Sequence, residues 1–131
     1  MSTIMVVDDD REMGRLMKTL FELGHHRVIV TPTYQDILPV MRQALPDAVL
    51  MDVRVQGQET IDLVRQVRQE ARIAHIPVVM TSGADCRPQC LEAGADGFVM
   101  KPFLPDELVD MIVGLVDRRI AAHSAHLGSD N

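Results

Sequence analysis

Two hydrophobic periods alternate along this chain, one of strands and one of helices. Ile4-Met5-Val6-Val7 is a continuous apolar run, which predicts a strand buried on both faces. Met13, Leu16, Met17 and Leu20 then fall at i, i+3, i+4 and i+7, one face of a helix that Gly24 ends. Val28-Ile29-Val30 predicts a second strand. Thr33 with Asp36 comes close to a capping box and starts a second helix, with Ile37, Met41, Ala44 and Leu45 as its buried face. Pro39 lies inside that helix and is expected to shorten or kink it. After the break at Pro46-Asp47, Ala48-Val49-Leu50-Met51 is the third strand. A third helix carries Ile61, Val64 and Val67, and Pro77 opens a fourth strand at Val78-Val79-Met80. A short helix around Gln89 to Ala93 stops at Gly94, and Phe98-Val99-Met100 is the fifth strand. The last helix starts near Pro105, a residue suited to a first turn, and buries Leu108, Met111, Ile112 and Leu115. Past Arg119 the residues are small and polar, so the reading is a domain over 1–119 and a flexible tail over 120–131.

Five strand–helix repeats with apolar strands predict an α/β fold, a parallel sheet covered by helices on both faces. Its crossovers should be right-handed. The expected architecture is a flavodoxin-like (βα)5 three-layer sandwich with strand order 2-1-3-4-5. In such sheets ligands bind beyond the carboxyl ends of the strands, so the residues just after each strand matter most.

Composition narrows the function. With 131 residues and 47% hydrophobic content, one domain can bury a real core. A net charge of −6 argues against direct DNA binding and against an anionic membrane surface. No apolar run is long enough for membrane insertion, and the first residues lack the basic and apolar regions of a signal peptide, so a cytoplasmic location is the default expectation. Cys86 and Cys90 read as reduced thiols on a short helix, and His25, His26, His123 and His126 as surface residues, since none stands at metal-site spacing.

The strand-end residues carry the candidate chemistry. They are Asp8-Asp9-Asp10, Asp52, Thr81-Ser82-Gly83 and Lys101-Pro102, which follow the first, third, fourth and fifth strands. Singly, an aspartate after a strand is usually a helix cap. Together they put several carboxylates, a hydroxyl and an ammonium at one sheet edge. Clustered carboxylates repel unless one is protonated or a cation joins them. Mg²⁺, held through one or two carboxylates, waters and a phosphate, suits such a pocket.

These segments, VVDDD, VLMD, PVVMTSG and above all AGADGFVMKPF, resemble the response-regulator receiver family along roughly residues 3 to 118. The resemblance implies a signalling switch of a two-component system, a regulator rather than a turnover enzyme, which catalyses its own phosphotransfer and dephosphorylation. It makes Asp52 the phosphoacceptor and Asp8 and Asp9 the acid pair, with Asp9 on the metal and Asp8 acting through water. The metal, Mg²⁺ or Mn²⁺, would also touch Asp52 and the backbone carbonyl of Arg54. Ser82 takes the hydroxyl place, Lys101 the lysine place and Phe98 the aromatic switch place; Pro102 is expected in a cis peptide. The implied partners are a sensor histidine kinase or phosphotransfer protein and an unknown downstream protein. The implied output face combines the fourth helix, fifth strand and fifth helix.

Departures from the pattern follow Asp52. The family usually has Pro four residues on and Gly eight residues on, where this chain has Gln56 and Thr60. Arg54 places a long cation at the mouth of the site. The segment from Ser82 to Gly94 is about three residues short, close to one helical turn. Three other readings compete. A haloacid-dehalogenase-type phosphatase would need a second aspartate where Arg54 stands. A flavodoxin-like FMN carrier would be repelled by Asp8-Asp9-Asp10. A pseudo-receiver, an interaction module that never carries phosphate, is permitted by Gln56 and Thr60.

Overall fold

The computed structural model describes residues 1–129. Five parallel strands form the main sheet: β1 (Thr3–Val7), β2 (Arg27–Thr31), β3 (Ala48–Asp52), β4 (Val78–Ser82) and β5 (Gly97–Met100). Their spatial order is β2-β1-β3-β4-β5, the order expected from the repeats. Five helices connect and cover them: α1 (Arg11–Leu23), α2 (Ile37–Ala44), α3 (Ile61–Gln69), α4 (Arg87–Ala93) and α5 (Pro105–Ser129).

Strand alternation divides the core into two layers. On β1, Ile4 and Val6 face Met17 and Phe21 of α1 and Leu108, Ile112 and Val116 of α5. Met5 and Val7 face the other way, toward Ile37 and Met41 of α2 and Val64 and Val67 of α3. Every one of these side chains is 1% exposed or less, so the central strand has no solvent face and needs the continuous apolar run seen in its sequence. The edge strand β2 is half open, with Val30 exposed, and Gly14 of α1 lies close over it: an added Cβ would stand 3.1 Å from Val30.

Several expectations are corrected. In α1 the core face is Gly14, Met17 and Phe21, with Met13 and Leu20 at its flank; Leu16 points outward. Pro39 does not sit in the interior of α2. A 3-10 turn (Tyr34–Asp36) precedes the helix, so Pro39 falls in its first turn, where its missing N–H has no intrahelical partner to lose. The capping box at Thr33 and Asp36 is absent, since neither side chain makes a cap hydrogen bond. Leu45 is no core residue: it takes the left-handed conformation that ends α2 and is exposed. Met111 stays partly exposed because α5 packs through positions 108, 112 and 116, one turn apart each time. The helix also continues beyond Arg119 to Ser129, through residues such as Ala121, Ala122 and Ala125 with high helix propensity. Of the expected tail, residues 130 and 131 lie outside the described residues.

The connection after β3 holds a second surprise. Arg54–Val55 and Gln58–Glu59 pair antiparallel as a small hairpin around Gln56-Gly57. Both turn residues have positive φ, 53° and 76°, the signature of a type I′ turn. At the opposite end of the sheet, Arg68 of α3 clamps the loops. Its guanidinium donates to the carbonyls of Gly94, Ala74 and Ile76 and to Asp96 Oδ2 at 2.7–2.9 Å.

Candidate functional site

At the carboxyl edge of the sheet the ends of β1, β3 and β5 meet. Asp8 follows β1, Asp52 closes β3, and Lys101 follows β5; parallel register between neighbouring strands brings them to one level. Lys101 Nζ donates to Asp52 Oδ2 at 2.7 Å and lies 3.8 Å from Asp8 Oδ2. Asp8 is 5% exposed, and its Oδ1 accepts the N–H of Asp10 at 2.9 Å. Asp10 itself caps α1, accepting the N–H groups of Glu12 and Met13, so the bland reading of an aspartate after a strand holds for that one residue.

The charges tune one another. Burial pushes the Asp8 carboxyl above its ordinary pKa; the Asp10 N–H and Lys101 pull it down, and the negative charges of Asp52 and Asp10 push it up again. Burial works against the Lys101 ammonium, but the hydrogen bond and charge of Asp52, then Asp8 and Asp10, outweigh it, so its pKa rises. Lys101 thus serves as an internal countercharge to an over-negative pocket.

Asp9 is exposed, and its Oδ2 accepts the N–H of Gln56 at 2.7 Å, across the pocket from the hairpin turn. The Arg54 N–H points to Asp52 Oδ1 at 3.3 Å. Thr60 is fully buried, and its hydroxyl donates to the Asp52 carbonyl at 2.8 Å, fixing the base of the hairpin to the acceptor strand. The Arg54 guanidinium folds back onto the carbonyl of Gly57 at 3.3 Å. The sequence marks Gln56 and Thr60 only as departures; no local signal shows that one holds Asp9 and the other the Asp52 backbone.

Ser82 ends β4, and its Oγ accepts the N–H of Ala84 at 3.1 Å, which leaves its own proton available. It lines a cavity of about 270 Å³ with Arg54, Glu59, Arg65 and Cys86. Thr81, its neighbour, is buried in the sheet. Phe98 is 2% exposed, its ring turned inward. Arg87, the first residue of α4, covers that ring at 5.7 Å from its centroid and donates to the Phe98 carbonyl at 3.2 Å. Sequence reasoning missed this contact, because eleven residues and a turn separate the pair. The Lys101–Pro102 peptide is cis. Cys86 and Cys90 are both free thiols with sulfurs 4.0 Å apart, and burial, first, then Cys86 push the Cys90 thiol up to about 12.

The donor set fits a hard divalent cation. Among the described residues no group of three or more His, Cys, Asp or Glu side chains is placed to hold a metal ion by itself. Mg²⁺ does not need one, since it keeps several waters. Asp9, Asp52 and the Arg54 carbonyl are the groups that would hold it. That carbonyl is free of the hairpin ladder. Arg54 pairs with Glu59 outside the turn-flanking pair Val55–Gln58, which makes it a non-hydrogen-bonded position. Its N–H already faces Asp52, and in an extended residue the carbonyl shares that edge. The Asp8 carboxyl, raised first by burial, would be favoured in its charged form by a cation beside it.

Sheet order, acid pair, third-strand aspartate and fifth-strand lysine define the class, a signal-receiver domain. Residues 4–113 match the response regulator receiver domain, and the chain belongs to that family, the receivers of two-component response regulators. It is 33% identical over 119 residues to the chemotaxis protein CheY of Pseudomonas aeruginosa, covering 88% of this chain and 96% of that protein. It is 29% identical to the phosphate regulon transcriptional regulatory protein PhoB of the same organism, but spans only 52% of that longer chain. Among solved structures, the signal receiver domain of a response regulator from Bermanella marisrubri superposes with a TM-score of 0.79 at 28% identity, covering 87% of this chain and 97% of that one.

Proposed function

We propose that this chain is a phosphorylation-activated switch of a two-component system, in which Asp52 accepts a phosphoryl group from a sensor histidine kinase or phosphotransfer protein. The observation that carries the reading is the 2.7 Å contact of Lys101 Nζ with Asp52 Oδ2 beside a buried Asp8. One oxygen of the Asp52 carboxylate attacks phosphorus in line, leaving the other for a cation; the new P–O bond forms as the P–N bond to the donor imidazole breaks. Asp9, Asp52 and the Arg54 carbonyl would hold a divalent cation, Mg²⁺ or Mn²⁺, with Asp8 acting through water; when bound it would supply positive charge to the phosphoryl oxygens. Lys101 moves from the carboxylate to a phosphoryl oxygen, and the Ser82 hydroxyl donates to another. The product carries about one extra negative charge, enough to draw both groups inward. At an effective dielectric of about 20, a lysine 4 Å from a unit charge gains roughly 4 kcal/mol before desolvation. That is the scale that shifts a two-state loop, here the segment from Ser82 to Arg87, whose last residue lies over the Phe98 ring. Attack of water on the aspartyl phosphate then resets the switch, so the chain regulates rather than turns over a metabolite.

The pseudo-receiver reading draws on the Asp9–Gln56 bond, which commits one carboxylate oxygen to a backbone N–H. One assay separates the two. Incubation with acetyl phosphate and Mg²⁺ should add one phosphoryl group by intact mass, and Asp52→Asn should not gain it. No mass gain in the parent chain would leave only the interaction module. The absence of any described helix long and apolar enough to cross a membrane fits a partner met in solution.

A further inference from the structure

Gln56 joins three strand-end segments through its own atoms. Its N–H goes to Asp9 Oδ2 after β1, at 2.7 Å. Its side-chain Oε1 accepts the N–H of Tyr34 after β2, at 2.9 Å. It sits on the hairpin after β3, whose base is pinned by the Thr60 hydroxyl to the Asp52 carbonyl at 2.8 Å. Its φ of 53° is one that side chains other than Asn, Asp and Gly seldom adopt. A residue kept there is over-determined by its contacts, and both contacts point out of the hairpin.

We propose that Gln56 is a positioning residue for Asp9: its N–H holds that exposed carboxylate so that the second oxygen is presented to a divalent cation. The inference rests on the phosphoacceptor reading given above. A single rigid turn then sets the metal pocket. Arg54, two residues before Gln56, offers its carbonyl from the hairpin, and its N–H and Thr60 tie the same hairpin to Asp52. Metal-binding carboxylates gain affinity when a hydrogen bond fixes their orientation beforehand, because less freedom is lost on binding. The Tyr34 contact anchors the strap from the far side, so cation binding at Asp9 should be felt at the Tyr34 amide.

The test is a Mg²⁺ titration of the full chain followed by amide NMR, with thermal unfolding of each variant in parallel. Gln56→Asn keeps the N–H and tolerates positive φ, and should bind Mg²⁺ nearly as the parent does. Gln56→Pro lacks the N–H and cannot take this φ, and should bind about 10- to 100-fold more weakly while remaining folded. A folded proline variant with parental Mg²⁺ affinity overturns the proposal. If that variant does not fold, amide exchange decides: protection of the Gln56 N–H should be lost in Asp9→Ala, and equal exchange in both chains overturns the idea. Asp9→Ala with undiminished Mg²⁺ binding sinks the underlying metal-pocket reading instead, whereas weakened binding in Asp9→Ala beside a neutral Gln56→Pro removes only the strap.

Discussion

The two ends of the sheet each hold a cation–carboxylate cluster, and they are built in opposite ways. At the amino end, Arg68 spreads its guanidinium over three carbonyls and Asp96 Oδ2, and that same oxygen also accepts the N–H of Val78 at 2.7 Å. Nearly every donor there has a fixed partner, and an added Cβ on Gly94, at φ 115°, would stand 2.8 Å from the Arg68 side chain. At the carboxyl end, Lys101 makes one close contact, to Asp52, and a 3.8 Å approach to Asp8. Two of its donors, one oxygen of Asp9 and most of Asp52 Oδ1 stay uncommitted. A saturated cluster holds the fold in one state. An unsaturated one can exchange partners when a phosphoryl group or a cation arrives.

Breaking the unsaturated end should have the largest functional effect. Asp52→Asn is expected to abolish labelling by acetyl phosphate while leaving the unfolding midpoint near the parental value; a retained label would move the acceptor elsewhere. Arg68→Ala should do the reverse. It leaves carbonyls and Asp96 unpaired and should cost about 1.5–3 kcal/mol in urea unfolding with labelling preserved. Loss of labelling in a stably folded Arg68→Ala chain would erase the distinction between the two clusters.

A pH series sharpens it further. The Asp8 carboxyl has its pKa raised in the folded state, mainly by burial, so it favours folding when protonated. Its contribution is fully present below the unfolded-state pKa and is lost as pH rises through the folded-state pKa. Asp8→Asn should therefore raise the melting temperature of the metal-free chain at neutral pH and change it little under acid conditions. A melting temperature that falls at neutral pH would contradict the cost of burying the Asp8 charge. The smallest effect concerns the output side. Arg87→Ala removes the cation over the Phe98 ring and should cost about 0.5–1 kcal/mol, with faster amide exchange confined to α4 and β5. Unchanged exchange there would show that packing alone keeps Phe98 inward.

The legible part of this molecule is the part whose signal is local. Continuous apolar runs such as Ile4–Val7 and Val78–Met80 identify central strands, because a strand covered on both faces has no polar positions to spare. Asp8, Asp52 and Lys101, placed directly after such runs, follow from strand ends alone, whereas Ser82, one step past Thr81, is picked out by the family resemblance. Helix phase was less legible. Met13, Leu16, Met17 and Leu20 make a plausible stripe, but Phe21 and the small Gly14 are what β2 and α5 admit. Leu45 and Met111 look like core by chemistry, and only the path of the chain exposes them.

The sequence by itself determined the fold class, the strand order that such repeats favour, and the acid–lysine composition of one sheet edge. Tertiary structure alone decided which charges stay free. Asp9 is held by Gln56 across 47 residues, Arg68 meets Asp96 across 28, and Arg87 reaches the carbonyl of Phe98 across 11. The hairpin that makes the first of these has strands of two residues, too short to show a period, and a glutamine in a conformation its side chain does not advertise. Hydrogen-bond partners depend on where backbone groups end up in space, and no pattern along the chain encodes that position before the sheet and helices have packed.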